Sequence, residues 1–167
     1  MDKLAKLFFV SALAAVAFFF LAQTSSLKKS RKAGKRINTV VEEKPFVIVI
    51  PSYNNEKFCK RNLDSALEQN YHNFRIIYID DCSTDETYQK AQDVIKASQQ
   101  GRRVTFIRNE KNRGALFNLY QVIHHCNDEE IIVALDGDDF LAHQEVLSTL
   151  NHIYHDPGIW MTYGSFL

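Results

Sequence analysis

Cysteine is scarce in this chain. It has three, Cys59, Cys82 and Cys126, odd in number and widely spaced. No C-x-x-C occurs, so neither a disulfide framework nor a zinc knuckle is indicated, and three free thiols fit a reducing compartment. Net charge is also missing, with 20 basic against 20 acidic side chains. That balance gives no reason to expect nucleic acid as a partner. The six histidines include His124-His125 but form no H-E-x-x-H, so surface or helix-end roles fit them better than metal ligation. Glycine-rich phosphate cradles are absent. No G-x-G-x-x-G follows the first strand of the domain, which argues against NAD or FAD, and no Walker A sequence occurs, which excludes a P-loop NTPase. There is no internal repeat and no low-complexity segment. What is present is 167 residues, 46% of them hydrophobic, enough for one domain or one domain plus an anchor.

Residues 7–22, "LFFVSALAAVAFFFLA", are apolar except for Ser11. A spanning helix needs about 20 residues, and Leu4 and Ala5 extend the run if Lys6 snorkels to the interface. Residues 1–23 therefore read as an N-terminal membrane anchor, with a cleaved signal peptide as the alternative. Six basic residues follow: Lys28, Lys29, Arg31, Lys32, Lys35 and Arg36. By the positive-inside rule this collar places the rest of the chain on the cytoplasmic side; signal cleavage would instead give a secreted or lumenal protein. The collar would also be drawn to anionic lipid headgroups. Residues 24–44 lack apolar periodicity and read as a basic tether, leaving 45–167 as the folded domain.

Within that domain, short β-branched runs alternate with helical spacing. Strands are expected at 46–50, 74–79, 103–107, 130–135 and 159–164. Helices are expected at 58–69, from the Ser83-x-x-Glu86 capping pattern to about residue 98, at 114–125 and at 144–154. Strands joined by helices run parallel, with helices on both faces. The fold class is therefore a doubly wound α/β sheet, in which ligands bind outside the carboxyl ends of the strands.

Four strand-end segments then carry the chemistry. "DGDDF" places Asp136, Asp138 and Asp139 together. Adjacent carboxylates ionise poorly without a compensating cation, and a hard ion such as Mn²⁺ or Mg²⁺ is the natural partner. Gly137 would let the backbone turn tightly and a ligand approach closely. The alternative is a solvated acidic turn. "YIDDCSTDET" offers Asp81 to a ribose hydroxyl or a base N–H, while Asp85 or Ser83 caps the next helix. "IPSYNNEKF" offers Pro51, Ser52 and Tyr53, whose ring could stack on a base, or simply pack the loop. "NEKNRG" brings Lys111 and Arg113 to the same edge, for phosphates or an acid of the site.

The run "VIVIPSYNNEKFCKRNLDSALEQNYHNFRIIYIDDCSTDET", followed by "NRG" and "ALDGDDF", resembles the family 2 glycosyltransferases of the GT-A fold. The likeness covers Phe46 to about Ser165. It implies a Rossmann-like nucleotide-diphospho-sugar-binding fold, represented here by its donor half. It implies that Pro51, Ser52, Tyr53, Glu56, Asp81, Arg113, Asp136 and Asp138 line the nucleotide. By the same likeness Asp138 lies near the ribose and Asp138 and Asp139 serve the metal, with Asp136 and Asp138 as the alternative pair. The implied reaction is metal-dependent, inverting transfer of a sugar from a nucleotide-diphosphate donor, a UDP-sugar favoured, to an unknown acceptor. No catalytic base is assigned, because in such proteins it lies beyond the region corresponding to Phe166. The alternative functions are a catalytically incomplete sugar-nucleotide-binding module that needs a partner chain, and a receiver-like signalling domain. The second is disfavoured because the main acid cluster follows the fourth strand of the domain.

Overall fold

A computed structural model describes residues 7–9 and 42–164. In chain order the elements are β1 (Leu7–Phe9), β2 (Phe46–Ser52), α1 (Cys59–Leu67), β3 (Phe74–Asp80), α2 (Thr87–Ala97), β4 (Val104–Arg108), α3 (Ala115–Ile123), β5 (Ile131–Ala134), α4 (Val146–Tyr154) and β6 (Met161–Tyr163). The six strands form one sheet in the order β4-β3-β2-β5-β1-β6. Every pairing is parallel, with Ile48 opposite Ile76 and Val49 opposite Ala134. The five strands and four helices expected within 45–167 are all present, and the doubly wound α/β architecture holds.

The sheet centre explains the unbroken apolar runs. All seven residues of β2 are buried, so alternate side chains enter different layers. Phe46, Ile48 and Ile50 join Ile76, Tyr78, Ile131 and Val133 under α1, α2 and α4. Val47, Val49, Ile77, Ile79 and Ile132 lie under α3 alone. Each helix carries a matching stripe. Cys59, Leu63, Ala66 and Leu67 of α1 fall at i, i+4, i+7 and i+8, and all are buried. Leu147, Leu150 and Tyr154 make the same kind of stripe on α4.

Two boundaries differ from the sequence reading. Residues 42–44, assigned to the tether, are tied into the domain. Asn151 Nδ2 donates to the Glu42 carbonyl, the Glu43 carboxylate accepts the His72 and Asn73 amides, and the Tyr71 hydroxyl donates to the Lys44 carbonyl. Side-chain partners set this edge, and periodicity does not register them. The second difference is β1. Leu7–Phe9, placed in the expected anchor, is a strand between β5 and β6. The rest of 1–23 lies outside the described residues, as do 24–41 and 165–167. Among the described residues no helix is long and apolar enough to cross a membrane.

Candidate active site at the carboxyl edge

The parallel sheet delivers the ends of β2, β3, β4 and β5 to one edge, and all the sequence-predicted site residues lie in or just beyond those ends. They do not share one environment there. Pro51 and Ser52 are still part of β2 and are buried. Tyr53, just beyond, is 44% exposed and free to offer its ring.

Asp81 is the most engaged of them. It is 2% exposed. Its Oδ1 accepts Asn109 Nδ2 at 2.7 Å and the Arg113 amide at 2.9 Å, and its Oδ2 accepts the Gly114 amide at 2.7 Å. Burial pushes this carboxyl up. The Asn109 side chain, the Arg113 amide, the Asn118 side chain and the Gly114 amide outweigh it, so Asp81 titrates below the usual aspartate range. Asp81 thereby fixes the loop that leads into α3. Gly114 accepts this path with φ +84°, a conformation disfavoured for residues with a Cβ. The Arg113 guanidinium, carried by that loop, sits 4.9 Å from the Phe117 ring centroid. Any base contact by Asp81 would share oxygens already serving the loop.

The first two strand-end loops are laced together. The Asn54 amide donates to Ser83 Oγ at 3.0 Å, and Asn54 Oδ1 accepts the Thr84 amide at 2.9 Å. The Asn55 amide donates to Thr87 Oγ1, and the Glu56 amide to Asp85 Oδ2. In return Glu56 Oε2 accepts the Glu86 amide at 3.2 Å and lies 4.0 Å from Lys90 Nζ. Glu56 is thus committed to the start of α2. Ser83, expected in a capping box, serves the neighbouring loop instead, and Asp85 Oδ1 accepts the Thr87 amide at 2.9 Å.

The acid segment after β5 is held from below. Asn62 of α1, 1% exposed, donates through Nδ2 to the carbonyls of Asp136 at 2.9 Å and Asp139 at 2.8 Å. The Asp139 amide closes the turn on the Asp136 carbonyl at 3.0 Å. Gly137 has a reason other than the expected turn. A Cβ there would collide with Asn55 Nδ2 and would meet Ser52 Oγ at 2.8 Å, so glycine is required by close packing against the β2 loop. Asp138 is exposed, while Asp136 and Asp139 are half-buried. Burial, then the Asp138 carboxylate, then that of Asp136 push the Asp139 carboxyl up.

No three acid, histidine or cysteine side chains form a ready metal cage among the described residues. The donor set nonetheless fits a hard divalent ion. Its oxygens are carboxylate, no basic side chain pairs with Asp136, Asp138 or Asp139 among the described residues, and Mg²⁺-type sites use one or two protein carboxylates plus substrate phosphates.

Asn62, Asn109 and Asn118 did not emerge from the sequence as site residues. The available signal was an asparagine on the apolar stripe of a helix, Asn62 beside Leu63 and Asn118 near Val122. Such a residue is unexpected unless its amide is used.

Comparison with known sequences fits this arrangement. The sequence model described as Glycosyl transferase family 2 matches residues 47–164. The chain belongs to that family. The Escherichia coli (strain K12) protein named for colanic acid biosynthesis as glycosyl transferase WcaA is 33% identical over 116 residues, covering 64% of this chain and 40% of that protein. The poly(ribitol-phosphate) beta-N-acetylglucosaminyltransferase TarS of Staphylococcus aureus (strain Mu50 / ATCC 700699) is 26% identical over 98 residues, 58% of this chain and 16% of that protein. Among solved structures, the mannosyltransferase PcManGT of Pyrobaculum calidifontis, in complex with GDP-Man and Mn²⁺, superposes with a TM-score of 0.59 at 20% identity. It covers 66% of this chain and 32% of that one. That likeness supports the GT-A fold. The chain spans less than half the length of the curated relatives it matches.

Proposed function

We propose that the chain forms the donor-binding part of a metal-dependent glycosyltransferase that moves a sugar from a nucleotide diphosphate to an acceptor. The observation that carries this reading is the acid turn itself. Asn62 holds Asp136 and Asp139 in a fixed turn, and the Asp139 carboxyl is pushed up beside Asp138 with no basic side chain among the described residues to relieve it. Packing gains nothing from such an arrangement; a cation bridging it to a diphosphate gains a great deal.

Asp138 and Asp139 would hold the Mn²⁺ or Mg²⁺, which supplies counter-charge to the diphosphate. Tyr53 lies against the base. Arg113, on the loop fixed by Asp81, faces the nucleotide, and Asp136 steadies the turn. The transfer we propose inverts the anomeric centre, an acceptor hydroxyl attacking in line. No residue of this chain is assigned as the base. A UDP-sugar is the favoured donor; structural neighbours have been solved with GDP-Man and with UDP-GlcNAc.

Titration calorimetry of the full chain with UDP and with GDP, each with and without Mn²⁺, tests the donor reading. Mn²⁺-dependent binding of one nucleotide is expected, and no metal-dependent binding of either refutes it.

For localisation we propose membrane attachment through residues 1–23, with the basic collar from Lys28 to Arg36 and the domain on the cytoplasmic side. This requires Leu7–Phe9 to leave the sheet, which gives up the short β1 pairings with β5 and with β6, including the one that joins β6 to the sheet. Resistance of the full chain to alkaline extraction from membranes is the expected result, and release into the soluble fraction contradicts it.

A further inference from the structure

The first turn of α1 carries a surface that neither the core nor the acid turn explains. Phe58 and Phe140 are 49% and 39% exposed. The Arg61 guanidinium lies 3.4 Å from the Phe140 ring centroid, and Phe58 and Arg61 are neighbours at i, i+3 on the helix. The three aromatic and cationic groups therefore make one continuous patch. Lys57 and Lys60 flank it.

Helix stability does not account for these cations. No acidic residue occupies the first turn of α1, and cations at that end oppose the helix dipole. Of Lys57, Lys60 and Arg61, only Lys60 has an ion-pair partner among the described residues, Asp64. A groove of about 630 Å³ continues the patch between α1 and the segment after Phe140, lined among others by Lys57, Arg61 and His143, with Asp64 and Glu68 as its acids. Exposed aromatics ringed by lysine and arginine are the pattern of a protein surface that lies in a bilayer interface. The rings enter the headgroup–acyl boundary and the cations meet lipid phosphates.

We infer that the patch formed by Lys57, Phe58, Lys60, Arg61 and Phe140 docks on an anionic phospholipid surface. This contact is separate from any attachment through residues 1–23. It turns the carboxyl edge of the sheet toward the membrane, since Phe140 directly follows Asp139. It does not depend on the donor reading: a chain that binds no nucleotide would still dock.

Trp160 is the only tryptophan of the chain, which makes a site-specific test simple. In the full chain, Trp160→Phe combined with Phe58→Trp places one reporter in the patch. Vesicles of acyl-brominated phosphatidylglycerol and phosphatidylcholine should quench and blue-shift that reporter, and brominated phosphatidylcholine alone should do so several-fold less. Adding Lys57→Glu and Arg61→Glu should lower the quenching of the patch reporter several-fold, since each cation near an anionic surface contributes appreciably. The native Trp160, on the segment before β6, should stay unquenched under the same conditions. Phe140→Trp in the Trp160→Phe background gives a second reporter if the first variant lacks the native circular dichroism. The inference is overturned if the patch reporter is unquenched while the chain sediments with vesicles, because another segment then makes the contact. Equal quenching by neutral and anionic vesicles, or quenching of the patch reporter unchanged by the two glutamates, also overturns it.

Discussion

Asp81→Asn should cost about as much stability as a large core truncation, although the side chains are nearly the same size. The carboxylate of Asp81 is 2% exposed and accepts Asn109 Nδ2 and the Arg113 and Gly114 amides. An amide keeps one accepting oxygen and puts an N–H₂ where the other stood. At least one charge-assisted bond is lost, about 1.5–3 kcal/mol, and a buried donor is left facing a donor. The summed cost is about 3 kcal/mol, a large part of a typical domain's ~5–15 kcal/mol. With a urea slope of about 2 kcal/mol/M, the unfolding midpoint should fall by about 1.5 M. The pH dependence provides a second check. The folded pKa of Asp81 lies below that of the unfolded chain, so its stabilisation is complete above the unfolded value of about 3.9 and is lost as pH falls through the lower folded value. The gap between wild type and Asp81→Asn should therefore close in acid. A midpoint shift under about 0.3 M, or a gap that stays constant to low pH, would refute the assignment of Asp81 as the clamp of this loop.

Other outcomes follow from the same geometry. Asp139→Asn should weaken Mn²⁺-dependent nucleotide binding far more than Asp85→Asn in calorimetry, because Asp85 serves the Glu56 and Thr87 amides; equal effects would contradict the role given to Asp139. Asn62→Ala should weaken that binding about tenfold by releasing the acid turn, a loss of about 1.4 kcal/mol, and unchanged affinity would show that the turn holds its shape alone. Arg75 forms a two-pronged pair with the buried Glu130, at 2.8 and 2.9 Å. Arg75→Met should destabilise by about 3 kcal/mol in urea unfolding, and Arg75→Met/Glu130→Met should recover most of it, since the penalty lies in the stranded charge. Leu147→Ala, at a fully buried α4 position, should cost about 2–5 kcal/mol by the same assay.

Local chemistry settled much of this protein in advance. Strands buried on both faces need unbroken β-branched runs, as in residues 46–50, and helices over them need stripes such as Cys59, Leu63, Ala66 and Leu67. The alternation of the two then dictates a parallel sheet with its strand ends at one edge. The acids after β5 stand out in the sequence because they end an apolar strand abruptly. The tertiary structure decided what contact in sequence cannot encode. Only the packed structure shows that Ser52 lies under Gly137 and that Glu56 holds the start of α2. Asn62 reaches Asp136 and Asp139 across more than seventy residues, so no spacing rule marks it. Gly137 is needed because a Cβ would clash with a distant loop and not for its own backbone angle. The seat of Leu7–Phe9 between β5 and β6 likewise depends on strand edges over a hundred residues away. Periodicity records how a residue relates to its own helix or strand; which partner completes its hydrogen bonds depends on how those elements pack together.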